Sequence, residues 1–211
     1  LIGGNANLLW TGILVTTWCV FHSLFVTHWW DRLVRRRLPR THPLARLVYV
    51  VFSTLSFLGM TAWIRTLDDR LLWAWPGPWA VLRWAGLGAA FLCFWLGMRA
   101  YDNRTFLGLS QLRAWLRGRP APEPPFRRTG VLGTIRHPWY TGSLLFFVFC
   151  LPVTDVNLVW RGVFFLYTLI GAELEERKLL RDLGPAYAAY RRQVPRFFPR
   201  LKRPGRRGGS G

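Results

Sequence analysis

Hydrophobic residues in this chain fall into long blocks instead of alternating with polar ones. Leu8 to Val26 is broken only by His22 and by small hydroxyl or glycine residues. Leu44 to Ile64 carries a single charge near its start, Arg46, and Leu82 to Met98 carries only Arg83, at its edge. Runs of about 20 apolar residues are the length a bilayer-spanning helix needs. They predict three spanning helices, over roughly 8–27, 44–64 and 82–100. A fourth block, Trp139 to Leu151, is shorter than the hydrocarbon core at about 1.5 Å per residue, and Pro152, Asp155 and Asn157 mark a turn after it. A second arm follows from Leu158 to about Ala172 and continues as an amphipathic helix through Leu183, where Gly184-Pro185 stops it. A last short helix over about 185–192 puts Tyr187 and Tyr190 on one face. The expected fold is an all-α integral membrane protein of about five transmembrane helices, the last two a short helical hairpin, with a cytoplasmic C-terminal helical cap.

The expected organisation is three spans over 1–100, an amphipathic connector and proline-rich linker over 101–133, a hairpin with its cap over 134–199, and a basic disordered tail over 200–211. Apolar positions 106, 107, 109, 112, 115 and 116 give the connector an interfacial face, and Pro120, Pro122, Pro124 and Pro125 then break any helix. Residues 1–7 read as a lead-in, trimmed at its start because residue 1 is Leu. No signal-peptide cleavage pattern is evident, and Gly208-Gly209-Ser210-Gly211 reads as an appended remnant. Trp29-Trp30 after the first span, and Trp73, Trp75 and Trp79 around Pro76-Gly77-Pro78, are expected at membrane interfaces. Gly86, Gly88 and Gly97 favour close helix packing.

Charge sets the orientation. The net charge is +19, which fits either nucleic acid or an anionic membrane face. The arginines are not uniform, however: they crowd the first connector (Arg32, Arg35, Arg36, Arg37, Arg40), the third (Arg104 to Arg136) and the tail, while in the second Arg65 and Arg70 are offset by Asp68 and Asp69. Alternation of this kind is the positive-inside pattern, so anionic lipids account for the charge and no nucleic-acid partner is expected. The amino terminus is expected outside and the carboxyl terminus in the cytoplasm. Cys19, Cys93 and Cys150 each lie alone in an apolar block, a spacing that fits no metal site.

The chemistry gathers over 134–199. His137 precedes Pro138, which suits the first position of a helix, so Arg136 and the free N–H groups of that helix start form an anion site for a carboxylate, a phosphate or a lipid headgroup. Glu173, Glu175 and Glu176 stand where an apolar helix leaves the membrane on an otherwise basic face. They pair with Arg177, Lys178 or Arg181, or they receive a cationic or hydroxyl-rich ligand. Tyr140, Tyr187 and Tyr190 add aromatic faces that attract sulfonium or ammonium centres. An anionic and a cationic subsite with aromatics between them match a zwitterion such as S-adenosyl-L-methionine. His22, the one strongly polar point in the first span, either reaches the interface or lines a polar cavity.

Arg136-His137-Pro138-x-Tyr140-x-Gly142, Glu175-Glu176-x-x-Leu179, Gly184-x-x-Tyr187-x-x-Tyr190 and Val194-Pro195-Arg196 resemble the carboxyl-terminal signature of the isoprenylcysteine carboxyl methyltransferase superfamily. Phe21-His22-Ser23-Leu24 and Phe106-Leu107-Gly108-Leu109-x-Gln111 resemble its bacterial branch, which contains methanethiol S-methyltransferases and NnrU-type membrane proteins. The resemblance implies an S-adenosyl-L-methionine-dependent methyltransferase of the bacterial inner membrane, acting on a small-molecule or lipid acceptor and most simply on a small thiol. It implies cofactor binding by Arg136, His137, Tyr140, Gly142, Glu175, Glu176, Tyr187 and Tyr190. His137, Arg196 and His22 would be catalytic, the histidines as proton acceptors and Arg196 orienting an anionic acceptor. Within the same chemistry the acceptor is alternatively a prenylcysteine carboxylate or a phospholipid amine. The other classes are an NADPH-dependent sterol-reductase-like enzyme and a non-catalytic membrane protein.

Overall fold

The computed structural model describes residues 2–120 and 129–200. Pro122, Pro124 and Pro125 of the expected linker, and the expected basic tail beyond residue 200, lie outside the described residues. The elements in order are helices α1 (Ile2–Leu24), α2 (His28–Arg37) and α3 (Ala45–Ile64), strand β1 (Leu71–Trp73), helices α4 (Pro78–Ala100), α5 (Asn103–Phe106), α6 (Leu109–Leu116) and α7 (Pro138–Phe149), strand β2 (Val153–Thr154), and helices α8 (Asp155–Leu183) and α9 (Pro185–Gln193). Among the described residues three stretches are helical, long and apolar enough to cross a membrane: Asn5–Leu24, His42–Ile64 and Pro78–Ala100. Their outer faces expose Leu9, Val48, Leu55, Val81 and Trp84, as a lipid solvent requires.

Several boundaries differ from expectation. The third span starts at Pro78 instead of Leu82, its proline suiting the first helical position, and Asp155 and Asn157, expected in a turn, open α8, where Asn157 completes a capping box with Thr154. The first helix starts at Ile2 instead of Leu8, since residues 3–7 hold no proline to stop the turn that precedes the apolar run, and it ends at Leu24. Trp29 and Trp30 therefore belong to α2, a separate amphipathic helix whose first turn is capped by Thr27, its hydroxyl accepting from the Trp30 N–H at 3.2 Å. The expected external turn between the second and third spans contains a strand, β1. It pairs antiparallel with β2, Leu71 opposite Thr154 and Trp73 opposite Val153. That ribbon and the exchange of bonds between Asp155 and Arg70 tie this turn to the start of α8.

Helix α7 is about 18 Å long, well short of a bilayer core, and α8 about 43 Å. A short apolar helix ends with carbonyls that nothing in lipid can satisfy. Here two guanidinium groups cap them. Arg161 of α8 donates to the Phe147 and Val148 carbonyls, and Arg83 of α4 donates to Phe149 at 3.2 Å and Cys150 at 3.1 Å. The positive charge also opposes the negative end of the helix dipole.

The α4–α7 seam is close-packed through missing side chains. A Cβ at Gly86 would stand 2.3 Å from the Phe149 ring. One at Gly142 would stand 2.8 Å from Phe94 and 3.0 Å from the Ala90 carbonyl oxygen. Gly97 packs against Trp139, whereas Gly88 faces open space. On the other side of α8, Val15, Cys19, Met60, Ile64, Val156 and Phe164 form the apolar core with α1 and α3. The ends of α1, α3, α4, α7 and α8 that carry His22, Arg46, Tyr101, His137 and Glu176 thus share one end of the bundle.

Candidate active site

The tail returns to the start of α7 and bonds to it as extended backbone. The Arg136 N–H donates to the Pro195 carbonyl at 2.9 Å and the His137 N–H to the Arg196 carbonyl at 3.1 Å. Gly184, with φ of +55°, makes the reversal that sends α9 back beneath α8. Tyr190 donates its hydroxyl to the Leu132 carbonyl at 2.6 Å, and the Thr141 hydroxyl shares its proton between the Phe197 carbonyl at 2.9 Å and the His137 carbonyl at 3.0 Å. Tyr187 is buried edge-on against Tyr190.

These backbone contacts bring five charged or titratable side chains together around Glu176, which is fully buried. Arg136 donates Nε to Glu176 Oε1 at 2.9 Å and Nη2 to the same oxygen, while its Nη1 bonds the Arg191 and Val194 carbonyls. Arg196 donates Nη2 to Glu176 Oε2 at 2.7 Å and to Glu173 Oε2 at 2.6 Å. Arg191 Nε stands 3.4 Å from Glu176 Oε2. His137 Nε2 stands 3.1 Å from Glu176 Oε1. Burial opposes ionisation of Glu176, but hydrogen bonds from Arg196 and Arg136, reinforced by their charges, outweigh it and hold the carboxyl at about 2. The same bonds raise the proton affinity of Arg196. Burial lowers the pKa of His137, against the pull of Glu175 and Glu176. A neutral imidazole facing an ionised Glu176 carries its proton on Nε2, which leaves the Nδ1 lone pair directed to the side of Glu175, 3.8 Å away.

Glu175 differs from its neighbours. Like Glu173 it is half-exposed, but unlike Glu173 and Glu176 it has, among the described residues, no arginine or lysine nitrogen within 4 Å. The Tyr140 hydroxyl is in reach of it, and Tyr101 stands nearby.

The structure therefore joins Arg136, His137, Glu175, Glu176 and Arg196, with Tyr140 at the edge and Tyr187 and Tyr190 as buried supports. It does not bring His22 into this cluster. His22 bonds instead to two hydroxyls, Tyr167 at 2.8 Å from Nδ1 and Tyr49 at 2.7 Å from Nε2. Gly142 sits in the α4 seam, where helix packing accounts for it. Sequence reasoning did not single out Arg191, Thr141, Tyr101, Tyr49 or Tyr167. A tyrosine inside an otherwise apolar span is the available signal for Tyr49 and Tyr167.

Fold and site together define a membrane-embedded helical protein with its polar chemistry gathered at one end of the bundle. Over 196 residues the chain is 31% identical to a methanethiol S-methyltransferase of Pseudomonas sp. (strain GM41(2012)), a match covering 89% of this chain and 72% of that protein. The chain belongs to the methanethiol S-methyltransferase family, within the isoprenylcysteine methyltransferase-like branch. It is also 29% identical over 202 residues to the methanethiol S-methyltransferase of Pseudomonas deceptionensis, covering 90% of this chain and 72% of that one. To the Mycobacterium tuberculosis (strain ATCC 25618 / H37Rv) protein of that name it is 28% identical over 200 residues, with 92% and 77% covered. No family model and no solved structure matches the chain. The names of these relatives make the class a methyltransferase, and the three long apolar helices make it one of membrane type.

Proposed function

We propose that this protein transfers the methyl group of S-adenosyl-L-methionine to a small thiol such as methanethiol. One observation carries the reading. Glu175 is a carboxylate with no arginine or lysine nitrogen within 4 Å among the described residues, in reach of the Tyr140 hydroxyl and 3.8 Å from His137 Nδ1, while Glu173 and Glu176 on the same helix are neutralised by arginines. A carboxylate that no arginine or lysine neutralises, with tyrosines close by, fits a sulfonium or ammonium centre. The donor set therefore fits the cofactor's cationic part. Its carboxylate would be met by the half-exposed guanidinium of Arg191 and the outer edge of Arg196.

When bound, the cofactor supplies a methyl group on a positively charged sulfur. The chain's own residues do the remainder. The Arg136–Glu176 pair fixes the tail under α7, Glu176 sets the tautomer of His137, and Glu175 with Tyr140 orients the cation. Tight helix packing at Gly142 and Gly86 closes the α4–α7 seam to water, and alignment of acceptor and donor beside it lowers the barrier. His137 and His22 are the two imidazoles available to take the thiol proton. In this reading the α7–α8 pair dips into the bilayer as a hairpin beside the three spans, giving five membrane helices with α9 as a cap. The amino terminus lies outside, the cap is cytoplasmic, the membrane is the bacterial inner membrane, and its anionic lipids meet the arginine-rich connectors.

The test is calorimetry on the purified protein in nanodiscs, titrated separately with S-adenosyl-L-methionine and NADPH, followed by radiolabelled methyl transfer to methanethiol. Binding of the methionine derivative alone, weakened at least tenfold by Glu175→Gln, is expected. Binding of NADPH alone would transfer the protein to reductase chemistry. Donor binding without transfer to any thiol, carboxylate or amine would make it a non-catalytic relative.

A further inference from the structure

Between α1 and α3 runs an apolar groove of about 720 Å³ that the methyl-transfer machinery at the hairpin does not use. Trp10, Leu14, Trp18, Phe52, Gly59 and Trp63 are among its walls, and His22 closes one end. From Trp10 to His22 it follows α1 for about 18 Å. Methanethiol has two heavy atoms and would occupy a small fraction of that volume.

At the closed end His22 is held by three elements. Tyr49 of α3 stands at 2.7 Å from Nε2, Tyr167 of α8 at 2.8 Å from Nδ1, and Ser23 bonds the Tyr167 hydroxyl at 2.9 Å. The Trp18 ring lies on the imidazole, centroids 4.7 Å apart. Other charged or titratable groups facing this cluster are Arg46 of α3, whose guanidinium lies over the Tyr49 ring, and Cys19 of α1. A neutral imidazole between two hydroxyls accepts from one and donates to the other. A protonated imidazole donates to both, and the same two oxygens then hold its charge.

The groove also leads to the site described above. One turn beyond Tyr167 on the same face of α8 is Gly171, and a Cβ there would lie 3.9 Å from the Tyr140 hydroxyl. One further turn is Glu175. Tyr167, Gly171 and Glu175 thus run in line from the His22 end of the groove to the carboxylate that no arginine or lysine neutralises.

We propose that this groove is the berth of the methyl acceptor, that the acceptor class is thiols bearing an apolar chain, and that Tyr49 and Tyr167 position His22 as the thiol's proton acceptor. The inference rests on the methyl-transfer reading and names its substrate class. The groove walls hold the chain while the thiol end reaches the polar cluster. The S–H bond breaks and leaves its electron pair on sulfur. That pair forms the new S–C bond to the methyl of the sulfonium donor, whose own S–C bond breaks to release a neutral thioether. The proton moves to the oxygen of the tyrosine that is donating to His22, as that tyrosine's own proton moves to the ring nitrogen. A lipid chain is the competing occupant.

The test compares methanethiol, 1-butanethiol and 1-octanethiol as acceptors for the full chain in nanodiscs, with wild type and Gly59→Leu measured in the same lipid so that partitioning cancels. Gly59 has open space where its side chain would be, so leucine fills the groove without a clash. A roughly tenfold fall in the octanethiol-to-methanethiol ratio of kcat/KM in Gly59→Leu is expected; an unchanged ratio overturns the berth. Tyr49→Phe and Tyr167→Phe are expected to lower kcat about tenfold or more at neutral pH and to recover as alkaline pH ionises the thiol. Loss of rate equal at every pH would make the tyrosines merely structural and overturn the relay. A second readout needs no turnover: an octanethiol bearing a terminal diazirine should cross-link to α1 and α3 and be displaced by octanethiol but not by added phospholipid. Cross-links displaced by phospholipid identify a lipid site and overturn the proposal. Absence of transfer to every thiol overturns the methyl-transfer reading itself, and the cross-link then decides the groove alone.

Discussion

Replacing Glu176 with glutamine removes the carboxylate on which Arg136, Arg196, Arg191 and His137 converge, with almost no change in volume. The magnitude follows from the geometry. Holding a carboxyl at about 2 instead of an ordinary 4.5 is worth about 3 kcal/mol of folding stability by linkage. Arg196 and Arg191 are partly open to water, 28% and 44% exposed, which screens part of that gain. Against this, Arg136 is buried and would be stranded without a counterion, and breaking a buried pair costs about 3–5 kcal/mol. A net loss of about 3 kcal/mol lowers the melting midpoint by roughly 6–12 °C for a chain of this size. The assay is thermal exposure of thiols to a cysteine-reactive dye in mild detergent, since Cys19 and Cys150 are buried and become reactive only on unfolding. The sign of the pH effect is fixed as well. A depressed carboxyl pKa stabilises fully above the unfolded value, and that stability is lost as pH falls through the folded one. Wild type should therefore lose stability between about pH 4.5 and about pH 2, and Glu176→Gln should lose less over that window. Glu173→Gln, at a half-exposed position, is the control and should move the midpoint little. A Glu176→Gln midpoint no lower than that of Glu173→Gln would refute the keystone role.

Other outcomes follow from single contacts. Arg161→Leu strands the Phe147 and Val148 carbonyls at the end of α7, at about 1–3 kcal/mol each, and should lower the melting midpoint by several degrees; lysine, lacking the planar fork, should recover less than half of the loss. Gly142→Ala places a methyl 3.0 Å from the Ala90 carbonyl oxygen, which is backbone and cannot swing away, so about 1–3 kcal/mol of stability should be lost, with donor affinity measured by calorimetry unchanged in the fraction still folded. Burial lowers the pKa of His137, so the imidazole beside Glu175 stays neutral below the ordinary histidine value of 6.5 and donor affinity should fall only as pH passes the lowered one; His137→Gln should weaken donor binding about tenfold by calorimetry, with His22 still taking the thiol proton. Folding stability follows the same sign, full above 6.5 and declining as the buried imidazole is forced to protonate.

The apolar spans were legible because lipid imposes a composition on 20 consecutive residues, and a composition survives any ambiguity about neighbours. The continuation of the second arm into one helix through Leu183 was legible for a related reason: Leu174, Leu179, Leu180 and Leu183 keep helical spacing among the charges. Pairing was not legible. Leu71 and Thr154 are far apart in the chain, and nothing in either segment names the other as its strand partner. Arg83 read only as a charge at the edge of a span and Arg161 drew no notice, because their use depends on where α7 stops in space. The site shows the same division. Arg136, His137, Glu175, Glu176 and Arg196 could be picked out by residue type and position, but sequence assigned each toward a ligand, whereas in the fold Arg136 and Glu176 are turned toward one another.

That mutual satisfaction changes which residue should be asked to hold a cation. A buried carboxylate already accepting from two guanidinium groups and an imidazole has no lone pair to offer without first releasing one of them, and release of either arginine leaves a charge in a low-dielectric site. Glu176 is therefore poorly suited to exchange partners with each turnover, and well suited to keep the tail in place. Glu175, one residue away, points about 100° around the helix from it and has only a neutral histidine and tyrosine hydroxyls to displace. Donor binding there requires no ion pair to break. Measured side by side, Glu175→Gln should weaken S-adenosyl-L-methionine binding with little change in melting midpoint, and Glu176→Gln should lower the midpoint first. If both substitutions instead reduced affinity equally at full stability, Glu176 would be a ligand and the division of labour between the two adjacent glutamates would be wrong.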